Sequence, residues 1–114
     1  MGKEKTTVTK PYSLTIKVNY YLNLEQIVNY IAFEKKQPLN AIKVGEGINK
    51  TMTKIVDNPL IYAECENIPT KTKIYREAGF KTWLIIFKVK SDQVTILGVI
   101  SSKRKPTRFK KMTR

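Results

Sequence analysis

The chain has 114 residues, a formal net charge of +13 at pH 7, no histidine and a single cysteine. Without histidine it cannot build a zinc site on imidazole ligands or a nucleophile activated by a Ser–His or Cys–His pair. One cysteine cannot form an internal disulfide, and no stretch has the length of a transmembrane helix, so we expect one domain without metal, small-molecule cofactor or membrane span.

The N-terminal residues 1–11 are predicted to be an extension that precedes the domain. Its first residues lack the apolar segment of a secretory signal, and the single Cys65 fits a reducing compartment, so we expect a cytoplasmic protein. In residues 12–18 the apolar side chains alternate with polar ones. This period of two predicts a half-buried strand with one apolar face, formed by Tyr12, Leu14, Ile16 and Val18.

Two helices are predicted next. Asn23 and Gln26 have the spacing of a helix N-cap and its capping-box partner. The apolar residues that follow share one helical stripe, and the pattern ends near Lys36, before Gln37-Pro38. That stripe contains Leu24, Ile27, Val28 and Ile31.

Asn40 is a candidate N-cap for the second helix, which Asp57-Asn58-Pro59 should stop. Its predicted inner face consists of Val44, Ile48, Met52, Ile55 and Val56. Gly45 and Gly47 each weaken a helix by about 1 kcal/mol relative to alanine. Close approach of the two helices is a physical reason for glycine at these positions.

The remaining elements are predicted strands. After a loop over residues 60–69 we expect a short strand over 73–76, a turn at Glu77-Ala78-Gly79, and a central strand over 82–89. A hairpin turn over 90–93 leads to a strand over 94–100. The order β-α-α-β-β-β predicts an α+β fold, with an antiparallel sheet and a helical hairpin packed on one face. The other face would then be available to basic side chains.

Positive charge is concentrated in the second part of the chain. Residues 71–114 carry thirteen Lys or Arg against two acids, so they hold +11 of the total of +13. The apolar strands between these charges indicate a folded basic surface rather than a disordered tail. Such a surface favours a polyanionic partner, either nucleic acid, a membrane surface or an acidic protein, although a solvated lysine-rich surface is the alternative.

This order of elements, with these residues, resembles the RelE/ParE superfamily of toxins from type II toxin–antitoxin modules, often labelled plasmid stabilisation proteins. The resemblance covers about residues 12–110. It is carried by Ile74-Tyr75-Arg76, Trp83-Leu84-Ile85-Ile86-Phe87-Lys88-Val89, Val94-Thr95-Ile96-Leu97-Gly98-Val99-Ile100 and Ser101-Ser102-Lys103-Arg104-Lys105-Pro106. These segments are similar to an arginine-bearing strand, an aromatic strand, a Val/Ile-rich strand and a terminal motif written His-x-x-Arg-x-Pro.

The resemblance implies a toxin that is neutralised by a small acidic antitoxin. Two targets stay open: the ribosome and its mRNA, cleaved in a ribosome-dependent reaction, or DNA gyrase, poisoned without RNA cleavage. Ser101 stands where many relatives have a histidine that is implicated in acid–base chemistry, and the ParE-like members do not need that histidine. The basic charge favours RNA and the missing histidine favours gyrase. On the charge, we expect ribosome-dependent mRNA cleavage, with gyrase poisoning as the alternative. An inert relative that only binds the antitoxin is a third alternative.

RNA cleavage through the 2′-hydroxyl needs a base, a cation for the charge on phosphorus and an acid for the leaving oxygen. Without imidazole, a lysine whose pKa is lowered by neighbouring cations is a usable base, and arginine binds phosphate with two parallel hydrogen bonds. The predicted catalytic residues are Arg76, Arg104, Lys73 and Tyr75. The predicted nucleic-acid contacts are Lys71, Lys81, Lys103, Lys105 and Arg108.

Some of these residues also have a structural interpretation. Tyr75 lies in a predicted strand, where an aromatic side chain more often packs against its neighbours, and Trp83 fits a core position. Lys71 and Lys73 could be a solubilising pair. The predicted toxin domain spans residues 12–101, and residues 102–114 form a basic C-terminal tail.

Overall fold

The computed structural model describes residues 12–65, 68 and 73–103. Its elements are β1 (Ser13–Ile16), α1 (Val18–Asn29), a π-helical turn (Tyr30–Glu34), α2 (Pro38–Ile55), a 3₁₀ turn (Pro59–Ile61), β2 (Tyr75–Phe80), β3 (Trp83–Lys90) and β4 (Gln93–Ser101). The expected α+β class and the order of helices and strands are confirmed. The predicted extension over 1–11 and most of the predicted tail lie outside the described residues.

The described strands form a mixed sheet in the order β1-β4-β3-β2. The β2–β3 and β3–β4 pairs are antiparallel, as expected, but β1 pairs with β4 in parallel, with Ser13 beside Gln93 and Ile16 beside Ile96. The parallel direction of β1 and β4 follows from the path of the two helices. Because α2 returns the chain to the end of the sheet where β1 starts, β2 and then β4 run in the same direction as β1.

Helix α1 begins earlier than its predicted cap. It starts at Val18, and Asn23 lies inside the helix. The Asn23 side chain instead accepts a hydrogen bond from the backbone N–H of Val99 at 2.9 Å. Asn19, one turn earlier, donates to the carbonyl oxygen of Leu97 at 3.1 Å. Since β1 ends at Ile16, these two side chains satisfy backbone groups of β4 that no strand covers.

Helix α2 also begins before its predicted cap, with Pro38 in its first turn, where proline is favoured. Asn40 donates its side-chain amide to that of Gln37 at 3.0 Å and does not cap the backbone. The expected inner face is confirmed for Val44, Ile48, Met52 and Ile55, which are buried, whereas Val56 is half-buried and follows the end of the helix.

The two glycines of α2 allow close packing, as expected, but against different partners. A Cβ at Gly45 would lie 2.9 Å from a methyl group of Val28 in α1, so this glycine serves the helix–helix contact. A Cβ at Gly47 would overlap the ring of Phe80, which belongs to β2. Gly47 therefore lets the helix approach the sheet.

The predicted turn at Glu77-Ala78-Gly79 is wrong, because these residues lie inside β2. Ala78 is fully buried and pairs with Ile85 of β3. The chain turns at Lys81 and Thr82 instead. Ala78 lies under the helical hairpin, where a small side chain leaves room for the helices.

Both faces of the sheet bury apolar side chains. The main core lies between the sheet and the helices and includes Tyr20, Ile48, Phe87 and Ile96. A second cluster on the opposite face contains Cys65, Ile68, Ile86, Leu97 and Ile100, with Tyr75 and Leu84 packed against it. The centre of the face expected to carry basic groups is therefore apolar, and Cys65 and Ile68 pack on it. Among the described residues, no helix is long and apolar enough to cross a membrane.

Candidate functional site

Arg76, a predicted catalytic residue, lies on the face of β2 that packs against the helices. It alternates along the strand with Ala78 and Phe80, both of which contact the main core. Its Nη1 donates to the carbonyl oxygen of Tyr62 at 2.6 Å and more weakly to that of Leu60 at 3.4 Å. Its Nε is buried and has no partner among the described residues. The guanidinium group therefore holds the chain that follows α2 against the sheet.

Tyr75 and Lys73, also predicted to be catalytic, are not on that face. Tyr75 pairs with Lys88 of β3, and its ring packs against the second apolar cluster. This is the packing role that the sequence offered as the alternative to catalysis. Lys73 is exposed just before the strand, in a left-handed conformation with φ 54°. Lys90 lies at the same end of the sheet, next to the turn between β3 and β4. We call Lys73, Lys88 and Lys90 the lysine end of the sheet.

Lys81 and Lys103, two predicted nucleic-acid contacts, lie at the other end of the sheet. Lys81 is in the turn between β2 and β3, and the N–H of Ser102 donates to Thr82 of the same turn at 2.9 Å. That bond brings Lys103 close to the turn. Lys73 and Lys81 precede and follow β2, so roughly 25 Å of strand separates them at about 3.3 Å per residue.

The other predicted site residues, Lys71, Arg104, Lys105 and Arg108, lie outside the described residues. Among those that the structure describes, the predicted catalytic groups do not come together. Arg76 lies on the helical side of β2, Tyr75 lies on the opposite side, Lys73 precedes the strand, and Lys103 lies beyond the far end of β4. Over such distances the repulsion between lysines is largely screened at physiological salt.

The described residues enclose one further feature that the sequence interpretation missed, a groove between α1 and the end of β4. We call it the α1–β4 groove. It has a volume of about 490 Å³ and is lined by Asn23, Gln26, Ile27, Tyr30, Trp83, Val99, Ile100, Ser101 and Lys103. Ser101 and Lys103, from the start of the terminal motif that carried part of the family resemblance, line it together with Asn23 and Gln26 of α1. The terminal motif was therefore the signal in the sequence.

The residues of the groove have different environments. Ile27 and Val99 are buried, Trp83 is half-buried against the main core, and Tyr30, at the start of the π-helical turn, is exposed. Trp83 thus packs against the core, as expected, and also lines the groove. Ser101, the residue in the position of the family's histidine, accepts the N–H of Lys103 on its hydroxyl at 3.2 Å.

Comparisons with solved structures show the same fold at low sequence identity. The chain is similar to the chromosomal ParDE toxin–antitoxin system of P. aeruginosa, with a TM-score of 0.61 and 18% identity over 79% of this chain and 95% of that chain. It is also similar to the RelBE2 toxin–antitoxin complex of Mycobacterium tuberculosis, with a TM-score of 0.52 and 14% identity over 81% and 99% of the two chains. It is similar, too, to a variant of E. coli RelE in the free state, with a TM-score of 0.52 and 11% identity over 82% of this chain and 86% of that chain.

No curated protein matches the sequence significantly. The family model described as the ParE toxin of the type II toxin–antitoxin system parDE, however, matches residues 23–106. This match runs from the middle of α1 past the end of β4 and includes every residue that lines the α1–β4 groove. Together with the shared fold, it shows that the chain belongs to the ParE toxin family of type II toxin–antitoxin systems.

Proposed function

We propose that this chain is a toxin that poisons DNA gyrase without cleaving RNA, and that a small acidic antitoxin neutralises it. The observation that carries the proposal is the position of Arg76. Its Nη1 donates to the backbone carbonyl oxygens of Tyr62 and Leu60, so this end of the guanidinium group already has a structural role in holding the fold. This structural role of a cation that would otherwise be a candidate for phosphate binding supports a mechanism without RNA cleavage.

Two further observations support this proposal. The chain contains no histidine, and an aliphatic cluster fills the middle of the sheet face opposite the helices. A general acid, a general base and a phosphate-binding cation have to lie within hydrogen-bonding reach of one substrate. The described candidates instead occupy separate places on the domain, whereas a binding poison needs only a complementary surface.

Ribosome-dependent mRNA cleavage is a second candidate, and one observation favours it. At the lysine end of the sheet, the Tyr75 hydroxyl group lies on the same strand pair as Lys88, with Lys90 nearby. A phenol and several ammonium groups could serve as acid and phosphate contacts. Both candidates share the antitoxin, since a partner of opposite charge would complement a chain of net charge +13.

Expression in bacterial cells tests the proposal. The chain alone should arrest growth and induce the DNA-damage response while mRNA stays intact, and co-expression of a small acidic protein encoded beside it should relieve the arrest. Fragmented mRNA without a DNA-damage response would favour the second candidate. Normal growth with abundant folded chain would contradict both and leave a relative that only binds the antitoxin.

A further inference from the structure

Strand β1 lies at one edge of the sheet, and its outer side is open. It pairs with β4, and no other described strand lies beside it. The N–H groups of Ser13 and Lys17 donate to backbone carbonyl oxygens on the β4 side at 2.8 and 2.9 Å, so the odd-numbered residues of β1 face β4. Because backbone groups alternate along a strand, those of Leu14 and Ile16 point away from the sheet. No described residue bonds to the N–H or the carbonyl of Leu14.

The side chains of this edge form an apolar row that the helices cover only in part. Tyr12 and Ile16 are half-buried against the main core, whereas Leu14, between them on the same face, is 38% exposed. The start of α1 adds three exposed apolar side chains directly after the strand, those of Val18, Tyr21 and Leu22. Open apolar edges pair with other strands unless charges or prolines block them. Residues 12–16 include neither a charged residue nor a proline.

The absence of charge on this edge indicates which partner it fits. A nucleic acid or an acidic protein would bind a chain of net charge +13 through its cations, and residues 12–16 offer none. A second copy of the chain is repelled where lysines face lysines, so it approaches closely only at a surface without them. The edge is also self-complementary, because two such strands running in opposite directions present donors to acceptors about a two-fold axis.

We propose that the chain forms a homodimer by antiparallel pairing of its two β1 strands, so that the two four-stranded sheets become one continuous sheet. Leu14 lies on the two-fold axis opposite Leu14 of the second copy, and Tyr12 lies opposite Ile16. This register pairs the residues whose backbone groups point outward. The two Lys17 side chains then lie at opposite ends of the pair, roughly 20 Å apart at about 3.3 Å per residue, where salt screens their repulsion.

Sedimentation equilibrium of the purified full chain measures the association. Five paired residues on each chain bury less than about 1,200 Å², the size of weak complexes, so we expect a Kd of about 0.1–1 mM. The mean mass should rise with concentration from 13.2 kDa towards twice that value. Added salt should strengthen the association, because it screens the repulsion between two basic chains, whereas it would weaken binding to contaminating nucleic acid.

A pair of lysine variants tests whether the β1 edge is the interface. Leu14→Lys places two lysines opposite each other on the axis, so dimerisation should weaken by about tenfold or more. Leu39→Lys is the matched control, because it makes the same replacement at an exposed position at the start of α2, at the far end of the helical hairpin from β1. It should change the Kd only slightly. Unchanged NMR spectra of the dilute variants show that they fold.

A disulfide tests the register. Leu14→Cys places two thiols beside the axis with their Cα atoms about 5.5 Å apart, within the range of a disulfide, so oxidation should give a cross-linked dimer. Ser13→Cys is the control, since its Cα lies roughly 8 Å from that of the second copy, too far for a disulfide. The native Cys65 is buried, and the wild-type chain under the same oxidation measures its background.

A mean mass that stays at 13.2 kDa up to about 2 mM would overturn the proposal. So would equal association of the two lysine variants, equal cross-linking of the two cysteine variants, or association that weakens with salt. A Leu14 amide that is protected from hydrogen exchange in the dilute chain would also overturn it, because the chain's own N-terminal residues would then cover the edge. None of these readouts involves the toxin's target or its antitoxin, so the growth-arrest test is independent of them.

Discussion

Arg76 shows how a residue with a functional motif can have a structural role. A guanidinium group in a basic strand suggests phosphate binding, but alternation along β2 places Arg76 on the helical side, next to Ala78. There it satisfies backbone carbonyls of Leu60 and Tyr62 that lie beyond the end of α2. Its long-range partners are set by the folded chain, and the sequence pattern around Arg76 does not reveal them.

Replacing Arg76 should therefore reduce stability. Arg76→Met keeps an apolar stem and removes the charged hydrogen bonds, so the free energy of unfolding in urea should fall by about 1.5–3 kcal/mol. Lys73→Met, at an exposed position nearby, should change it by less than about 0.5 kcal/mol. A stable Arg76→Met protein that no longer arrests growth would instead assign the guanidinium to the target.

Tyr20 makes the stability of the fold depend on pH in the alkaline range. Its side chain is fully buried, and its hydroxyl donates to Asn49 of α2 at 3.0 Å. Burial, with a smaller contribution from Tyr21, raises the pKa of Tyr20 from 10.0 to about 12. The unfolded chain thus loses this proton at lower pH than the folded chain. The contribution of the protonated Tyr20 hydroxyl to the free energy of unfolding is therefore complete below pH 10 and is lost as the pH rises through about 12.

Comparison of the wild-type chain with Tyr20→Phe isolates that contribution from the titration of the other groups. The variant should be less stable at neutral pH by about 1 kcal/mol, because Asn49 loses its partner. Its stability should then fall less steeply than that of the wild type between the ordinary and the raised pKa. Parallel pH profiles from urea unfolding would show that Tyr20 titrates normally.

At the scale of the elements, the sequence located the helices and strands better than their ends. The apolar runs of β3 and β4 and the inner stripe of α2 are long and regular, and the structure confirms them. The errors have local causes. Asn23 resembles a cap but bonds to β4, and Ala78 with Gly79 resembles a turn but lies in β2. In both cases a contact distant in sequence overrides the local preference.

The contact between α2 and β2 should be sensitive to a single methyl group. Gly47→Ala would push a Cβ into the Phe80 ring, so we expect a loss of about 1–3 kcal/mol in the free energy of unfolding. Gly79→Ala is the matched control, since the nearest atom to its new Cβ is a Leu84 methyl at 3.9 Å. Phe80→Leu should restore part of the loss in the Gly47→Ala background. Equal stabilities for the two alanine variants would contradict this packing.

At the scale of the whole molecule, the sequence predicted the fold class and the family, but not the arrangement of the site. Local periodicity contains no information on which edge β1 joins, because its partner β4 lies about 80 residues further along the chain. The same limit applies to the basic residues. Spacing in the sequence grouped Lys73, Tyr75 and Arg76 together, whereas strand alternation separates Arg76 from Tyr75 across the sheet.

The charge of the molecule is what the proposed binding toxin requires. A strongly basic domain associates with DNA or with acidic proteins through long-range attraction, without a catalytic constellation. In the part of the chain that the structure describes, the cations next to the sheet lie at its two ends instead of converging on one point. The central proposal is that this member of the ParE toxin family acts by binding.

The most direct test is a cleavage assay with the purified chain, DNA gyrase, ATP and supercoiled plasmid, run beside an assay with ribosomes and message. The account predicts that linear plasmid covalently attached to gyrase accumulates with increasing toxin, that no linear plasmid forms without gyrase, and that the message stays intact. Cleaved message on ribosomes, with gyrase turning over normally, would contradict it.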